Sequence, residues 1–313
     1  MIESIRLSNF LSFGSTDDID LRPINVVIGT NGSGKSNFLE AFDLLRSAPT
    51  DITKPIREGG GVLEWLHKGG REAESASLDF LVRNPLPNAR QEQLRYKVVF
   101  TADNRAFTIS DESITSKPPE PGHDKPYIFY DFCQGKSIIN ILDNNLQMRS
   151  LQRADIDMAQ SILVQIRDTI HYPEITALAQ EFGKIRLYRE WSFGRYTAAR
   201  LPQKVDLPNN YLEADGGNLG LALNFIRNDY SAKKRLLQEL RRFYGNVEDY
   251  EINITGNTVQ IFFQERGLRS PIPATRLSDG TLRYLCLLAV LCHPDPPPLV
   301  CVEEPELGLH PDV

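Results

Sequence analysis

A chain of 313 residues, 41% of them hydrophobic, with a formal charge of −6 and four cysteines, is long enough for one large or two modest domains and needs no covalent staples. Its negative mean hydropathy and the lack of an apolar run of about 18 residues exclude a membrane span and a secretory signal. The excess of acids denies the chain a global basic field, so any contact with nucleic acid has to be a local patch.

From the amino terminus, the apolar run Ile24 to Ile28 (INVVI) reads as a buried strand that leads directly into Gly29, Thr30, Asn31, Gly32, Ser33, Gly34, Lys35 and Ser36. That octet fits the phosphate-cradling pattern G-x-x-x-x-G-K-[ST]. A helix is expected to open at Lys35 and run through Asn37, with Phe38, Phe42 and Leu45 on its buried face. Gly29, Gly32 and Gly34 allow positive φ and close backbone approach, so that successive N–H groups and the helix dipole face negative charge. Lys35 then reaches the β- and γ-phosphates, and the Ser36 hydroxyl serves Mg²⁺.

Alternating apolar residues follow from about 76 to 142. SLDFLVR, LRYKVVFT turning at ADNR into AFTIS, and YIFYDF turning at CQGK into SIINIL predict an antiparallel layer. SKPPEPGHDKP at 116–126 reads as a surface loop. Helical patterning is expected from about 154 to 182 and from 218 to 244, and YEINI with NTVQIFF forms a hairpin near Thr255 to Asn257. The resulting organisation is α/β: residues 1–150 carry the phosphate loop and antiparallel strands, 151–245 an inserted helical lobe, and 246–313 the remaining motifs.

Two late motifs select among nucleotide-binding classes. LSDGT at 277–281 precedes a helix that is apolar nearly all round (Leu282, Leu285, Leu288, Ala289, Leu291), capped by Ser278 or Asp279. Its N-terminus, with Ser278, Asp279 and Gly280, is a second candidate phosphate site. LVCVEE at 299–304 reads as a central parallel strand ending in two buried acids beside the phosphate loop. Glu303 then takes the Mg²⁺-associated position, and Glu304 is the base that polarises the attacking water, with Lys35 as its catalytic companion. No NKxD element for guanine is present, so ATP is the expected nucleotide.

Other clusters have open readings. Lys184, Arg186, Arg189, Arg195, Arg200 and Lys204 face a single acid, Glu190, and interleave with Tyr188, Trp191, Phe193 and Tyr196, as a single-strand binding patch does and as a cationic lobe surface also does. Lys233, Lys234, Arg235, Arg241 and Arg242 form a second basic face. Gln134, Gln160 and Gln165 are candidates for sensing the γ-phosphate. Arg6 and Asn9 stand near the first strand, either for adenine or for a strand edge. Glu304, Glu306, His310 and Asp312 resemble a metal cluster, although His310 suits a loop contact better. Cys133, Cys286, Cys292 and Cys301 lie in apolar contexts without metal spacing, as buried thiols of a reducing cytoplasm do.

The three nucleotide motifs, together with IESIRLSNFLSFG, YPEITAL, IRLYREWSFGR, DGGNLGLALN and EEPELGLHP, give nearly the whole chain a resemblance to the compact RecF-like and OLD-like ATPases of the ABC/SMC type. The resemblance implies a P-loop ATPase head with an antiparallel β layer and an inserted helical lobe. It also implies head-to-tail pairing around two ATP molecules with Mg²⁺, and action on DNA or a partner effector, in genome maintenance or phage defence. The alternative it leaves is a nucleotide-gated sensor or scaffold for a partner. LSDGT departs from the commoner LSGGQ at Asp279 and Thr281, and Glu303 stands where an Asp is usual. A transporter motor is disfavoured by the long stretch between Ser36 and Leu277, and coiled-coil arms by the absence of sustained heptads and of a C-x-x-C hook. The chain ends soon after Glu304, which reads as a carboxyl-terminal truncation of such a head or as a chain completed by another polypeptide.

Overall fold

Strict alternation of apolar and polar residues drives the first part of the chain into a sheet. In the computed structural model, which describes residues 1–69, 74–87, 89, 91–117, 119, 125–133, 136–140, 148–151, 156–189 and 191–307, β4 (Ser75–Arg83) buries Ala76, Leu78, Phe80 and Val82 while the residues between them stay half-buried or exposed. The chain divides into two compact units, residues 1–185 and 186–313.

The first unit is built on a nine-stranded sheet. Its strands are β1 (Ile2–Phe10), β2 (Phe13–Ser15), β3 (Ile19–Asp20), β4, β5 (Gln93–Asp103), β6 (Ala106–Lys117), β7 (Ile128–Cys133), β8 (Lys136–Asn140) and β9 (Met148–Leu151). They pair antiparallel in the order β2-β1-β4-β5-β6-β7-β8-β9, with β3 also on β1. The ADNR turn joins β5 to β6 through Asn104 and Arg105, at φ 48° and 66°, the two left-handed residues of a type I′ hairpin. The expected YIFYDF–SIINIL pairing is β7 with β8.

Helix α1 (Lys35–Ser47) lays Phe38, Phe42 and Leu45 into this unit's core, as the helical spacing predicts. An aromatic file joins it to the sheet and onward to α5 (Pro173–Gly183). Phe38–Phe42, Phe42–Phe80, Phe80–Tyr96 and Tyr96–Phe182 have centroids 5.3, 6.3, 6.5 and 5.5 Å apart, within the favourable range for aromatic pairs. Helices α2 (Thr53–Glu58), α3 (Val62–Trp65) and α4 (Ile162–Gln165) are short.

The second unit packs α6 (Leu219–Arg227), α7 (Tyr230–Phe243) and α8 (Asp279–Leu291) with the hairpin of β12 (Val247–Thr255) and β13 (Thr258–Glu265). Strands β11 (Gln203–Lys204) and β14 (Ile272–Pro273) flank β13. A separate parallel pair, β10 (Arg186–Tyr188) with β15 (Val300–Val302), carries the late acids. The helical lobe expected over 151–245 is divided between the units: α4 and α5 belong to the first, α6 and α7 to the second.

Two expectations fail. Ile24 to Ile28 joins no sheet among the described residues, and Ile24, Val26, Val27 and Ile28 are 84%, 80%, 49% and 87% exposed. Asn25 instead closes a local turn, its amide carbonyl accepting from Arg22 N at 2.9 Å and its amide donating to Arg22 O at 2.6 Å. Apolar β-branched residues fit a pleated, covered surface, but a ladder forms only where a neighbouring strand supplies partners. Cys133 is exposed, unlike buried Cys286, Cys292 and Cys301. Burial drives the Cys286 and Cys292 thiols up, whereas the exposed Cys133 thiol is raised chiefly by its hydrogen bond to Asp111.

One buried acid braces the first unit. Glu112 in β6 accepts from Tyr96 Oη at 2.8 Å, from the Ser161 hydroxyl, and from Ile162 N at 2.8 Å. Burial raises its carboxyl above the ordinary glutamate range, and the donors oppose the rise without cancelling it. The folded state therefore binds this proton more tightly than the unfolded chain. Its contribution is complete below the ordinary glutamate pKa and is lost as pH climbs through the raised folded value. In Glu112→Gln that decline is expected to vanish. Denaturant unfolding from pH 4 to 8 checks this: the stability of the variant relative to the parent rises with pH, by at most about 1.4 kcal/mol per pH unit for one proton, and a pH-independent difference contradicts it.

Candidate functional site

The phosphate loop takes its shape from Gly32 and Gly34, whose φ values of 79° and 95° suit glycine. At Gly34 the constraint is double, because a β-carbon there falls 2.5 Å from Ser12 Oγ. Gly29, expected to share this conformation, does not have positive φ. Its need is spatial, since a β-carbon would meet Ser33 Oγ at 2.5 Å. Ser33 N donates to Thr30 O at 3.2 Å, closing the turn.

Gly34 is the N-cap of α1, and the first intrahelical bond runs from Phe38 N to Gly34 O at 2.9 Å. The N–H groups of Lys35, Ser36 and Asn37 precede that bond and belong to the positive end of the helix dipole. No acid occupies the first turn to oppose an incoming anion. Thr30, Asn31, Gly32, Ser33 and Ser36 are exposed. The Lys35 ammonium lies across the loop, donating to Gly29 O at 2.9 Å and Thr30 O at 3.0 Å. Glycine turn, helix terminus and cation therefore meet within eight residues of chain.

In the second unit, Ser278 is the N-cap of α8: its Oγ accepts from Thr281 N at 3.0 Å and lies 2.8 Å from Thr281 Oγ1. The body of the helix is buried from Thr281 to Val290 except for Tyr284, yet Ser278 and Asp279 are exposed and Gly280 is half-exposed. The tip thus faces outward while the shaft is core. Of the two cap candidates, Ser278 performs the role.

Both departures from LSGGQ have local partners. The Thr281 hydroxyl meets Ser278, and the Asp279 carboxylate takes a 2.5 Å hydrogen bond from Arg200 Nη2. Arg200 is 7% exposed and also donates to Gly194 O at 2.9 Å and to the carbonyls of Thr275 and Leu277. Read from the sequence as a surface cation, it is instead the internal brace of the LSDGT loop.

Strand β15 pairs in parallel with β10, and Glu303 N extends that ladder by donating to Tyr188 O at 2.9 Å. Glu303 is half-buried and Glu304 exposed. The expectation of two buried acids is corrected: the strand ends at Val302, and Glu304 turns out of it with φ 47°. Its carbonyl accepts from Leu307 N at 3.1 Å and from Arg283 Nη1 at 3.3 Å.

The first basic patch survives only in part: Lys184, Arg195 and Lys204 are exposed, whereas Arg186 and Arg189 are half-buried and Arg200 is buried. Tyr188 and Trp191 are core residues, and the Tyr188 hydroxyl donates to Leu212 O at 2.9 Å. Arg186 sits 4.9 Å over the Tyr211 ring, and Lys184 pairs with Glu181 at 2.6 Å. Only Tyr196 among the four aromatics is exposed, with Arg195 5.9 Å over its ring. Amphipathic aromatics buried their rings inward because this stretch passes through a core. The second patch keeps part of its character: Lys234, Arg235, Arg241 and Arg242 are exposed on α7, although Lys233 pairs with Asp249 and Arg242 with Glu239, each at 2.8 Å, and Arg241 donates to the carbonyls of Val247 and Glu248.

Gln160 donates to Asp51 at 3.2 Å, past the far end of α1 from the phosphate loop, and Gln165 is spent on the backbone of Asp157, Gln160 and Ser161. Neither is placed to read a phosphate at Lys35. Arg6 pairs with Asp18 at 2.9 Å, and Asn9 O accepts from His67 N, which supports the strand-edge reading. Gln134, Glu190, His310 and Asp312 lie outside the described residues. Among the described residues, no three His, Cys, Asp or Glu side chains converge as a metal cluster, and no helix is long and apolar enough to cross a membrane. Sequence reading missed Arg283, the lone cation of the α8 shaft; a charge inside an otherwise apolar helix was the available signal.

A family profile described as "AAA ATPase domain" matches residues 1–132, and one described as "AAA domain, putative AbiEii toxin, Type IV TA system" matches residues 173–313. The chain is similar to a curated ATP/GTP phosphatase of Helicobacter pylori, with 22% identity over 316 residues that cover 99% of this chain and 77% of the relative. A solved Smc head bound to the C-winged helix domain of ScpA matches 99% of this chain and 82% of its own, at 13% identity and a TM-score of 0.57. A second Smc head domain, with an extended coiled coil and bound to the C-terminal domain of ScpA derived from Pyrococcus furiosus, covers 99% and 83% at 11% identity, with a TM-score of 0.48. The fold is that of an SMC head, α/β with a mainly antiparallel sheet.

The brace at Arg200 yields a stability prediction. Replacing it by leucine strips donors from buried carbonyls, at about 2–4 kcal/mol in all. Asp279→Gly removes only the partly exposed ion pair and costs about 1 kcal/mol or less. Urea unfolding of both variants checks the order, and equal losses contradict it.

Proposed function

We propose that this chain, a compact ATP-hydrolysing enzyme of the SMC-like AAA type, grips ATP between the phosphate loop of one copy and the Ser278 tip of another, and uses that nucleotide-dependent pairing to act on DNA. The observation that carries the reading is the outward-facing, Ser278-capped N-terminus of an otherwise buried helix. A helix tip of this kind suits an anion where its first-turn acid, Asp279, is neutralised by Arg200, and α1 supplies the other.

In this reading the N–H groups after Gly34 and the Lys35 ammonium hold the β- and γ-phosphates. The hard oxygen donors Ser36 and Glu303 suit Mg²⁺, which takes few protein ligands and neutralises phosphate charge when bound. Glu304 orients a water for in-line attack on the γ-phosphorus and accepts its proton as the bond to the bridging oxygen breaks. Cleavage removes the contact that joins two copies, so pairing lasts only as long as the triphosphate.

Exposed Lys234, Arg235, Arg241 and Arg242 on α7 supply a local cationic face in an acidic chain, the electrostatic requirement for gripping a phosphodiester backbone. The description of the profile over 173–313 points toward defence as the setting. A second reading, a nucleotide-gated sensor or scaffold for a partner effector, has its support in the Smc head solved with a bound ScpA domain.

Glu304→Gln is expected to retain ATP and accumulate the pair, whereas Lys35→Ala loses both. Size-exclusion chromatography with ATP checks this, and a single-copy species for Glu304→Gln contradicts it. DNA is expected to raise turnover, steeply less so as salt increases. Neutralising Arg241 and Arg242 together removes that stimulation; unchanged stimulation contradicts the α7 face as the DNA contact, and a parent that DNA does not stimulate favours the scaffold reading.

A further inference from the structure

We infer that Arg283 is a positioning residue that ties the phosphate-facing tip of α8 to the Glu304 peptide of the same chain. The inference rests on the hydrolytic reading of Glu304 given above. Arg283 stands five residues after the Ser278 cap, roughly 7 Å along the helix, and is 8% exposed in a shaft otherwise made of apolar and small residues apart from Tyr284. A buried guanidinium is expensive, and an apolar side chain of similar volume packs at least as well there. Its presence there therefore points to a directional task.

The geometry specifies that task. Among the described residues its hydrogen bonds go to carbonyl oxygens and not to a carboxylate: Nη1 to Glu304 O at 3.3 Å, Nη2 to Trp191 O at 3.2 Å. The guanidinium lies 5.3 Å over the Phe193 ring, which fixes its plane. Glu304 holds φ 47°, a left-handed conformation that a residue with a β-carbon leaves readily. Its carbonyl is gripped by Leu307 N at 3.1 Å from the loop that follows and by Arg283 from the helix. The direction of the Glu304 side chain follows from that peptide. Arg283 also reaches a groove of about 320 Å³ that it shares with Trp191, Phe193, Asp279, Gly280 and Leu307, so tip, guanidinium and acid-bearing loop border one space.

A force on the tip, from a phosphate held by the other copy, passes through one turn of a buried helix to the Glu304 carbonyl. Arg283 touches neither nucleotide nor water in this account; it acts through Glu304.

The test compares Arg283→Met, Arg283→Lys, Glu304→Gln and the Met–Gln double variant in steady-state ATP hydrolysis. Binding of a non-hydrolysable ATP analogue and analogue-dependent pairing are measured on the same preparations. Arg283→Met is expected to lower kcat by about tenfold or more with analogue affinity and pairing within about twofold of the parent. Arg283→Lys recovers part of the loss, because a single ammonium does not span both carbonyls. In the double variant the Arg283 change adds nothing to the loss from Glu304→Gln, as expected of residues acting as a unit. Parental kcat in Arg283→Met, a parallel loss of pairing, or full additivity with Glu304→Gln overturns the assignment. If Arg283→Met does not fold, the lysine variant decides, since a purely packing role predicts parental kcat or parallel loss of pairing there. Parental turnover in Glu304→Gln overturns the hydrolytic reading and this inference with it, whereas loss at Glu304 without loss at Arg283 overturns the coupling alone.

Discussion

A triphosphate brings several negative charges to one place, and a protein meets them most economically with backbone N–H groups that have no other acceptor. In the proposed function that demand falls on both halves of this chain. In the first unit, positive φ at Gly32 and Gly34 turns the backbone so that α1 begins at Lys35, at the positive end of its dipole. The rest of the unit holds that helix still. Phe38 and Phe42 enter an aromatic file that reaches Phe182 across the sheet, so the terminus is presented by a packed element and not by a mobile loop.

The second unit answers the same constraint with different means. Helix α8 is core along its shaft and exposed at its tip, and it is served by two buried arginines, Arg200 at the loop that leads into it and Arg283 within its shaft. Arg200 spends its donors on the loop leading into the helix, and Arg283 on the peptide that carries Glu304. The Asp and Thr that depart from the commoner motif are accommodated by this arrangement. Asp279 completes the shell of Arg200, and Thr281 doubles the contact with Ser278.

Local chemistry was legible in the residues. Helix α1, the Asn104–Arg105 hairpin, the β12–β13 hairpin, the buried α8 and its exposed cap all follow from spacing, turn residues and cap preference. What depended on distant partners was not. Ile24 to Ile28 has the composition of a strand, but pairing is decided elsewhere in the chain. Lys184 to Lys204 has the composition of a nucleic-acid patch. Whether an arginine faces water or a ring of carbonyls is a tertiary fact, and Arg200 and Trp191 belong to the interior. Gln160 illustrates the same limit, since its place beside Asp51 cannot be inferred from its position after the strands.

The central claim is that one nucleotide is shared between the Lys35 loop of one copy and the Ser278 tip of another. It is tested most directly by mixing two inactive variants, Lys35→Ala and Ser278→Arg. Each alone lacks one half of every site. In a head-to-tail pair of the two, one site combines an intact loop with an intact tip, so the mixture is predicted to hydrolyse ATP well above either variant alone. A mixture no more active than its components contradicts the account.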